Sequence, residues 1–171
     1  LQMPALTKHF KVLRFDTRGH GKSSAPLDPY SLDDLACDSF ELLQSLGIQK
    51  THWLGLSMGG MIGQTMVLAH PHLFSSLVLA DTTSRRPENA TQMWGDRIAK
   101  AKSQGMHAMV ESTLARWFSD EFRQNSPQVI EDIVTGIETT SINGFAGCCA
   151  AISHINTFDR LREILCPTLI M

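Results

Sequence analysis

The order of segments in the first half of the chain leaves few possible folds. Three β-prone runs are separated by stretches whose apolar residues recur at helical spacing. The predicted order is strand 11–16, helix 32–46, strand 51–56, helix 58–70 and strand 76–81. Ser31 with Asp34 forms a capping box at the start of the first helix, Gly47 ends that helix, and Pro71 ends the second. This alternation predicts an α/β fold, in which a mostly parallel sheet is covered by helices.

Beyond Arg85 the pattern changes to helices alone. Helices are predicted over 90–104, 106–118, 127–139 and 144–154, and a buried strand follows over 166–171. A helical insertion between two strands of an open α/β sheet fits best over the carboxyl ends of the strands, where such sheets bind ligands. We therefore expect a core region over 1–84, a helical lid over 85–164 and the start of the next core strand at 165–171. Because an apolar strand rarely ends a protein, the chain is expected to be a fragment.

Composition excludes several functional classes. The 171 residues hold 15 Lys and Arg against 17 Asp and Glu, a formal charge of −2, with both signs scattered evenly. A nucleic-acid partner would require a basic face and is not expected. No apolar run approaches the ~20 residues of a membrane span, and the first ten residues have the pattern of an amphipathic helix rather than of a secretory signal. The cysteines lack metal-ligand or disulfide-framework spacing, so we expect free thiols, no metal site and a cytoplasmic location; they are Cys37, Cys148, Cys149 and Cys166.

The segment 55–59 has the sequence Gly-Leu-Ser-Met-Gly between a predicted strand and a predicted helix. In that context the serine occupies a sharp, strained turn that exposes its hydroxyl, and a side chain at either flanking glycine is expected to collide with backbone. Ser57 is therefore the candidate nucleophile. The backbone N–H of Met58, at the helix amino terminus, is the candidate oxyanion donor. The alternative interpretation is a glycine-rich turn with an incidental serine.

A serine nucleophile needs a histidine base oriented by a carboxylate, in the chain order serine, acid, histidine. Four histidines follow Ser57, but none lies in a loop after a late strand; they are His70, His72, His107 and His154. Asp81 ends the strand next to the nucleophile strand and is an alternative acid, although an Asp at that position is usually structural. Order alone allows a triad of Ser57, Asp81 and His154. The favoured expectation is that acid and base lie beyond Met171.

Three further groups of residues carry candidate chemistry. The polar block 15–23, Phe-Asp-Thr-Arg-Gly-His-Gly-Lys-Ser, is interpreted as a turn held by internal hydrogen bonds rather than as a site. Arg116 lies in the predicted lid, where a guanidinium could bind a substrate carboxylate, or it could be an ordinary surface arginine. The pair Cys148-Cys149 is interpreted as close packing and not as a second nucleophile.

These motifs resemble the α/β-hydrolase superfamily, and within it the 3-oxoadipate enol-lactonases. The superfamily motifs are 14–21, Arg-Phe-Asp-Thr-Arg-Gly-His-Gly, and 54–60, Leu-Gly-Leu-Ser-Met-Gly-Gly; the lid segments 116–118 and 144–152 resemble the enol-lactonases more specifically. The resemblance implies a cofactor-free opening of the enol-lactone to 3-oxoadipate in aromatic-compound catabolism. It implies that Ser57 is the nucleophile, Met58 an oxyanion donor, and Arg116 and Trp117 neighbours of the substrate carboxylate. The only expected partner is a small lactone or ester, with no nucleic acid and no membrane.

Members of that family also carry an oxyanion loop ahead of the strand predicted at 11–16, and an acid and a histidine after the strand that ends here at Met171. The resemblance therefore implies an internal fragment whose activity belongs to a longer parent. It also implies that strands 11–16 and 51–56 are not direct neighbours but lie about 9–10 Å apart, two strand spacings, with unpaired backbone between them. Another carboxylesterase or C–C hydrolase of the same fold, or a non-catalytic binding module, remains an alternative.

Overall fold

The computed structural model describes residues 2–27 and 29–171, so Leu1 and Asp28 lie outside the described residues. The described residues contain a parallel sheet of three strands in the order β1 (Thr51–Leu56), β2 (Phe74–Ala80) and β3 (Thr168–Ile170). Leu54 of β1 lies opposite Val78 of β2, which lies opposite Leu169 of β3. The predicted α/β fold with a parallel sheet is confirmed.

The strand predicted at 11–16 is not formed. These residues are not part of the sheet, and within the described ranges no backbone hydrogen bond joins them to β1. Aromatic rings connect this part of the chain to β1: the ring centroids of Phe15 and Trp53 are 6.4 Å apart, and those of His52 and Phe10, which precedes the segment, are 5.6 Å apart. A strand needs a hydrogen-bonded neighbour, which the sequence pattern of one segment does not supply. The expected absence of direct pairing is confirmed, while the strand assignment is wrong.

The strand predicted at 166–171 forms, but the expectation that it is buried is wrong. All three residues of β3 are exposed, and Ile170 keeps 76% of its surface accessible. The strand pairs with β2 along one edge, and no described element covers its faces. Burial depends on what packs against a strand, and hydrophobic composition alone does not determine it.

The first half contains three helices, and the second and third follow their predicted boundaries closely. They are α1 (Met3–Leu6), α2 (Leu32–Ser45) and α3 (Met58–Ala69). The first is shorter than the amphipathic helix expected there and buries no residue. The capping box of α2 is complete, because Ser31 Oγ accepts a hydrogen bond from the Asp34 N–H while the Asp34 carboxylate accepts one from the Ser31 N–H.

Residues 85–164 contain helices and no strand within the described chain. They are α4 (Ala90–Gln104), α5 (Val110–Trp117), α6 (Asp120–Asn125), α7 (Pro127–Glu138) and α8 (Ile142–Ser153), with 3₁₀ turns at Met106–Met109 and Phe158–Glu163. The continuous helix predicted over 106–118 is divided into a 3₁₀ turn and α5, and α6 was not predicted. No helix of the described residues has the length and hydrophobicity that crossing a bilayer requires.

The main core lies between the sheet and the helices α2 and α3, and α8 also contributes buried residues to it. Leu35 of α2, Met66 of α3 and Leu77 of β2 are each at most 1% exposed. A smaller cluster of Ala101, Met106 and Met109 lies inside the helical segment. The core therefore anchors α3 on β1 and β2, which fixes the turn between β1 and α3.

The capping box makes a first testable prediction. Ser31→Ala removes the side-chain acceptor at the α2 amino terminus and should lower the free energy of unfolding by about 1 kcal/mol at neutral pH. The Ser31 hydrogen bonds hold the pKa of Asp34 below its ordinary value. A lowered carboxyl pKa stabilises the fold above the unfolded-state pKa and loses that contribution as the pH falls. The difference between the two proteins in urea unfolding should therefore shrink as the pH falls below about 4.

Ser45→Ala is the matched control, because Ser45 lies at the other end of α2 and its hydroxyl bonds only to the Leu42 carbonyl. It should change stability by less than about 0.5 kcal/mol. Equal destabilisation by the two substitutions would contradict a specific role for the cap.

Candidate active site

Ser57 occupies the turn between the end of β1 and the start of α3. Its backbone has φ 49° and ψ −114°, in the positive-φ region that costs free energy for a residue with a side chain. The residue is exposed. The structure thus places Ser57 on a strained bend at the carboxyl end of β1, an outer strand of the described sheet.

Backbone and side-chain hydrogen bonds hold this bend in place. The Ser57 N–H donates to the Ala80 carbonyl at 2.9 Å, which continues the pairing of β1 with β2. The Ser57 carbonyl accepts from the Thr82 hydroxyl at 2.7 Å and from the Gly60 N–H at 2.9 Å. Strained backbone persists only where surrounding contacts determine it in this way.

The glycines around Ser57 have different roles from those expected. A Cβ on Gly55 would overlap the carbonyl oxygen of Gly59, as the motif predicts. A Cβ on Gly59 would meet nothing within 4 Å outside the helix's own backbone, so the prediction of a collision at both flanking glycines is wrong for Gly59. The second close approach is at Gly60, where a Cβ would lie 2.8 Å from the Thr82 side chain. Close packing of α3 thus requires Gly60, whereas the space beside Gly59 is open.

Met58 is the first residue of α3, and its N–H points away from the helix body. Within the described residues this N–H has no hydrogen-bond acceptor. The first N–H groups of a helix have no intrahelical partner, and the helix dipole adds positive potential there. An oxyanion formed next to Ser57 would find a donor at this position.

Asp81 lies beside this turn. Leu56 and Ala80 are opposite each other in the sheet, and Ser57 and Asp81 are the residues that follow them. Asp81 also has a positive φ, 41°, and its N–H donates to the Met171 carbonyl at 2.9 Å. The residue is exposed. The alternative acid is therefore at the correct edge of the sheet, but no described histidine bonds to it.

The four histidines after Ser57 are held in other places. His70 caps the far end of α3 and stacks on Phe40 with ring centroids 3.7 Å apart, and His72 lies in the 3₁₀ turn that follows. His107 pairs with Glu138 on the surface of the helical segment. His154 bonds through Nδ1 to the Ser153 hydroxyl and the Ala150 carbonyl, both at 2.9 Å.

His154 also lines a cavity of about 280 Å³ together with Thr65, Leu68 and Ala69 from the carboxyl-terminal half of α3. Thr65 is eight residues from Ser57, which is about 12 Å along a helix. Within the described residues, the structure does not bring Ser57, Asp81 and His154 together as a triad.

The block 15–23 is a hydrogen-bonded turn, as interpreted from the sequence. The Asp16 carboxylate accepts from the Lys22 N–H, and the Ser23 hydroxyl donates to the Asp16 carbonyl. Arg18 forms a two-pronged ion pair with Asp38 of α2 at 2.6 and 2.7 Å. Gly19, at φ 85°, packs directly on Gly144 of α8, where a Cβ on either residue would overlap the other. The turn therefore connects the core to the helical segment.

Arg116, near the end of α5, forms part of an aromatic and cationic cluster. Its guanidinium lies 5.9 Å from the ring centroid of Trp94, and Trp94 also faces Arg97, 5.7 Å away. Trp117 is 55% exposed and is not the indole that faces Arg116. Arg97 was not predicted as a site residue, although it follows Trp94 by three residues and shares a helix face with it.

Arg97 is the unusual member of this cluster. Its Nε is buried and has no hydrogen-bond partner in the described residues, and its Nη2 reaches only the Thr113 hydroxyl, at 3.3 Å. Burial, followed by the neighbouring charge of Arg116, lowers the pKa of Arg97. Neither arginine takes part in an ion pair within the described chain. Within the described residues, the two guanidinium groups therefore lie near Trp94 without a carboxylate partner.

The two adjacent cysteines of α8 are buried and free. Burial raises the pKa of Cys148 to about 11 and that of Cys149 to about 12. Both thiols are therefore protonated at neutral pH, and a thiolate is required for nucleophilic attack. This agrees with their interpretation as packing residues.

Comparisons with known proteins agree with this architecture. A family model described as the α/β hydrolase fold matches residues 2–171. The 3-oxoadipate enol-lactonase 2 of Acinetobacter baylyi is 34% identical over 164 residues, which cover 96% of this chain and 60% of that protein. The crystal structure of the enol-lactonase from Burkholderia xenovorans LB400 has a TM-score of 0.94 and 36% identity, over 99% of this chain and 64% of that one.

A thermophilic esterase from Thermogutta terrifontis, whose structure was solved with malate bound, has a TM-score of 0.85 and 26% identity. The match covers 91% of this chain and 58% of the esterase. The chain thus spans about 60% of the length of the curated enol-lactonase that it matches. Since the family match extends over nearly every residue, and the parallel sheet with its helices agrees with it, the chain belongs to the α/β-hydrolase fold family.

Proposed function

We propose that Ser57 is the nucleophile of a carboxylic ester hydrolase whose substrate is a small acidic lactone, 3-oxoadipate enol-lactone. The observation that carries the proposal is the strained backbone of Ser57, which exposes a serine at the end of a strand and the start of a helix. The activity is proposed for the protein at the length of its relatives, because this chain spans only a portion of them. No cofactor takes part in the proposed reaction.

In the proposed mechanism, Ser57 Oγ attacks the lactone carbonyl and its proton passes to a histidine base. The Met58 N–H, with a second donor, binds the oxyanion of the tetrahedral intermediate. Collapse of the intermediate breaks the ring C–O bond, and the protonated histidine gives its proton to the departing enol oxygen. The histidine then takes a proton from the water that attacks the acyl-serine, and it returns that proton to Ser57 Oγ as the carboxylic acid is released. The exposed Ser57 side chain and the free Met58 N–H are the groups of this chain that the mechanism uses.

We propose that the base and its acid belong to the portion of the relatives that this chain does not span. The support is that each described histidine after Ser57 is engaged elsewhere. Asp81 is kept as an alternative acid, since it follows Ala80 at the same edge of the sheet as Ser57 and has a positive φ. Its carboxylate would then orient a histidine contributed from outside this chain.

We further propose that residues 85–164 form a lid over the core region, residues 1–84, and that 165–171 begin the next core strand. The helical segment begins shortly after the carboxyl end of β2, three residues beyond the Thr82 that bonds to Ser57. Within this lid, Arg97 and Arg116 are proposed to bind the substrate carboxylate, with Trp94 and Trp117 beside them. The unpartnered Nε of Arg97 supports this assignment, because a carboxylate would satisfy it and reduce the repulsion between the two arginines.

A second candidate is an esterase without a preference for acidic substrates, and the similarity to the thermophilic esterase supports esterase activity. The two candidates differ in what the arginines do. A neutral ester has no carboxylate for the two arginines to bind, whereas an acidic lactone has one. A non-catalytic binding module would turn over neither substrate.

The test is a substrate panel with the protein expressed from its own gene, comparing 3-oxoadipate enol-lactone with the neutral ester p-nitrophenyl acetate. Arg97→Gln should lower the ratio of kcat/KM for the acidic over the neutral substrate by about 30-fold, within the range for a lost hydrogen bond to a charged group. Arg116→Gln, at a more exposed position, should lower it by about 5-fold.

Lys100→Gln is the control, because it removes an exposed positive charge from the same helix, α4. It should leave the ratio unchanged. A parent protein that prefers the neutral ester would favour the esterase, and equal effects of all three substitutions would mean that only net charge matters.

A further inference from the structure

The buried side chain of Gln64 connects the nucleophile helix to the base of the helical segment. Gln64 lies on α3, two turns beyond Ser57, and is 1% exposed. Its Nε2 donates to the Thr83 carbonyl at 3.1 Å, and its Oε1 accepts from the Thr157 hydroxyl at 2.6 Å. Thr83 lies where the chain enters the helical segment, and Thr157 lies where it returns.

The two connections at that base are also bonded to each other. The N–H groups of Thr157 and Phe158 both donate to the Ser84 carbonyl, and the Arg86 N–H donates to the Ile155 carbonyl. The Arg85 guanidinium lies 3.9 Å from the ring centroid of Phe158. The outgoing and returning segments therefore form one paired neck, which carries all of α4–α8.

The same neck reaches the Ser57 turn. Thr82 donates to the Ser57 carbonyl, and the next residue, Thr83, accepts from Gln64. Two adjacent residues of this loop are therefore held by different partners: Thr82 by the Ser57 turn and Thr83 by Gln64. The amide of Gln64 has both a donor and an acceptor in use, so a side chain at this position must carry both groups to make both bonds.

We infer that Gln64 is a positioning residue, which sets the location of the helical segment and of Thr82 relative to Ser57. This inference rests on the proposed function of Ser57 and adds a residue that does not touch the substrate. Loss of either Gln64 bond lets the neck shift against α3. A shift of this kind should slow the reaction, since a misplacement of about 1 Å can lower the rate about 10²-fold.

The first test is Thr157→Val in the protein expressed from its own gene, which removes one hydroxyl at nearly constant volume. It should lower kcat/KM for 3-oxoadipate enol-lactone about 5-fold, chiefly through KM, because the helical segment supplies the proposed carboxylate contacts. Thr65→Val is the matched control, since the Thr65 hydroxyl bonds, among the described residues, only to the Met61 carbonyl of its own helix. It should leave kcat/KM within about 2-fold of the parent.

The second test is the pH profile of Gln64→Glu. A protonated glutamic acid can donate to the Thr83 carbonyl and accept from Thr157, whereas the ionised form has no proton to donate and is disfavoured by burial. Burial raises the pKa of such a carboxyl group, so kcat/KM should be close to the parent near pH 5 and fall about 10-fold relative to the parent by pH 8. A purely structural role would change the unfolding midpoint without adding this titration to kcat/KM.

The outcomes separate this inference from the proposed function. Suppose that the parent is active and that Thr157→Val and Gln64→Glu both have the parental kcat/KM at every pH. The positioning role of Gln64 is then wrong, and the proposed function of Ser57 is unaffected. If the folded parent has no esterase or lactonase activity, the proposed function itself has failed. If Gln64→Glu does not fold, the kcat/KM of Thr157→Val, the milder change, tests the positioning role by itself.

Discussion

Replacing Ser57 with alanine will lower kcat for ester or lactone hydrolysis by about 10⁴–10⁶-fold. The hydroxyl is the proposed attacking group, and the residual rate would come from the oxyanion donor and from substrate binding. The hydrogen bonds that hold the Ser57 turn are made by the Ser57 backbone, which the substitution keeps. The variant should therefore fold, and its far-ultraviolet circular dichroism and unfolding midpoint should stay close to those of the parent.

A fluorophosphonate should label the parent at Ser57, as peptide mass spectrometry would show, and should leave the Ser57→Ala variant unlabelled. The matched control is Ser76→Ala on the neighbouring strand β2, where the hydroxyl contacts His52 at 2.8 Å and is not part of the Ser57 turn. That variant should retain activity and labelling. If Ser57→Ala kept more than about a hundredth of the parental kcat, another group would have to be the nucleophile.

The sequence was sufficient for those features that depend on a few neighbouring residues. The α2 boundaries follow from Ser31, Asp34 and Gly47, and the last of these has the positive φ, 69°, that a helix-ending glycine adopts. The location of Ser57 follows from the motif 55–59, because that spacing of glycines between a strand and a helix permits one sharp turn. In each case the residues that predict the feature lie close together in the chain, although Ala80 and Thr82 also hold the Ser57 turn.

Features that depend on distant partners could not be predicted in this way. The run 11–16 has strand-like residues but no hydrogen-bonded neighbour among the described residues, and β3 is apolar but exposed. The environment of Arg97 depends on Thr113 and Phe145 from two other helices, so its position three residues after Trp94 is only a weak signal. Gln64 and Thr157 are separated by 93 positions, and no local pattern connects them.

Gly55→Ala should destabilise the protein by about 3 kcal/mol and greatly reduce its activity. A methyl group there would overlap the Gly59 carbonyl oxygen and lie 2.5 Å from the Gly60 nitrogen. Both are backbone atoms in the first turn of α3, so the clash cannot be relieved by a rotamer change. Relief would require α3 to move away from β1, which would also displace Ser57 and the Met58 N–H. The free energy of unfolding, measured in urea, and kcat should therefore both fall.

Gly59→Ala is the decisive comparison, because the two glycines are equivalent in the motif but not in the structure. A Cβ at Gly59 meets no atom within 4 Å outside the helix's own backbone, and the residue lies in α3. Alanine is favoured over glycine in a helix, so this variant should be unchanged or stabilised by up to about 1 kcal/mol. The motif alone predicts equal damage at both positions. A destabilisation of Gly59→Ala as large as that of Gly55→Ala would therefore contradict the open space that the structure shows beside Gly59.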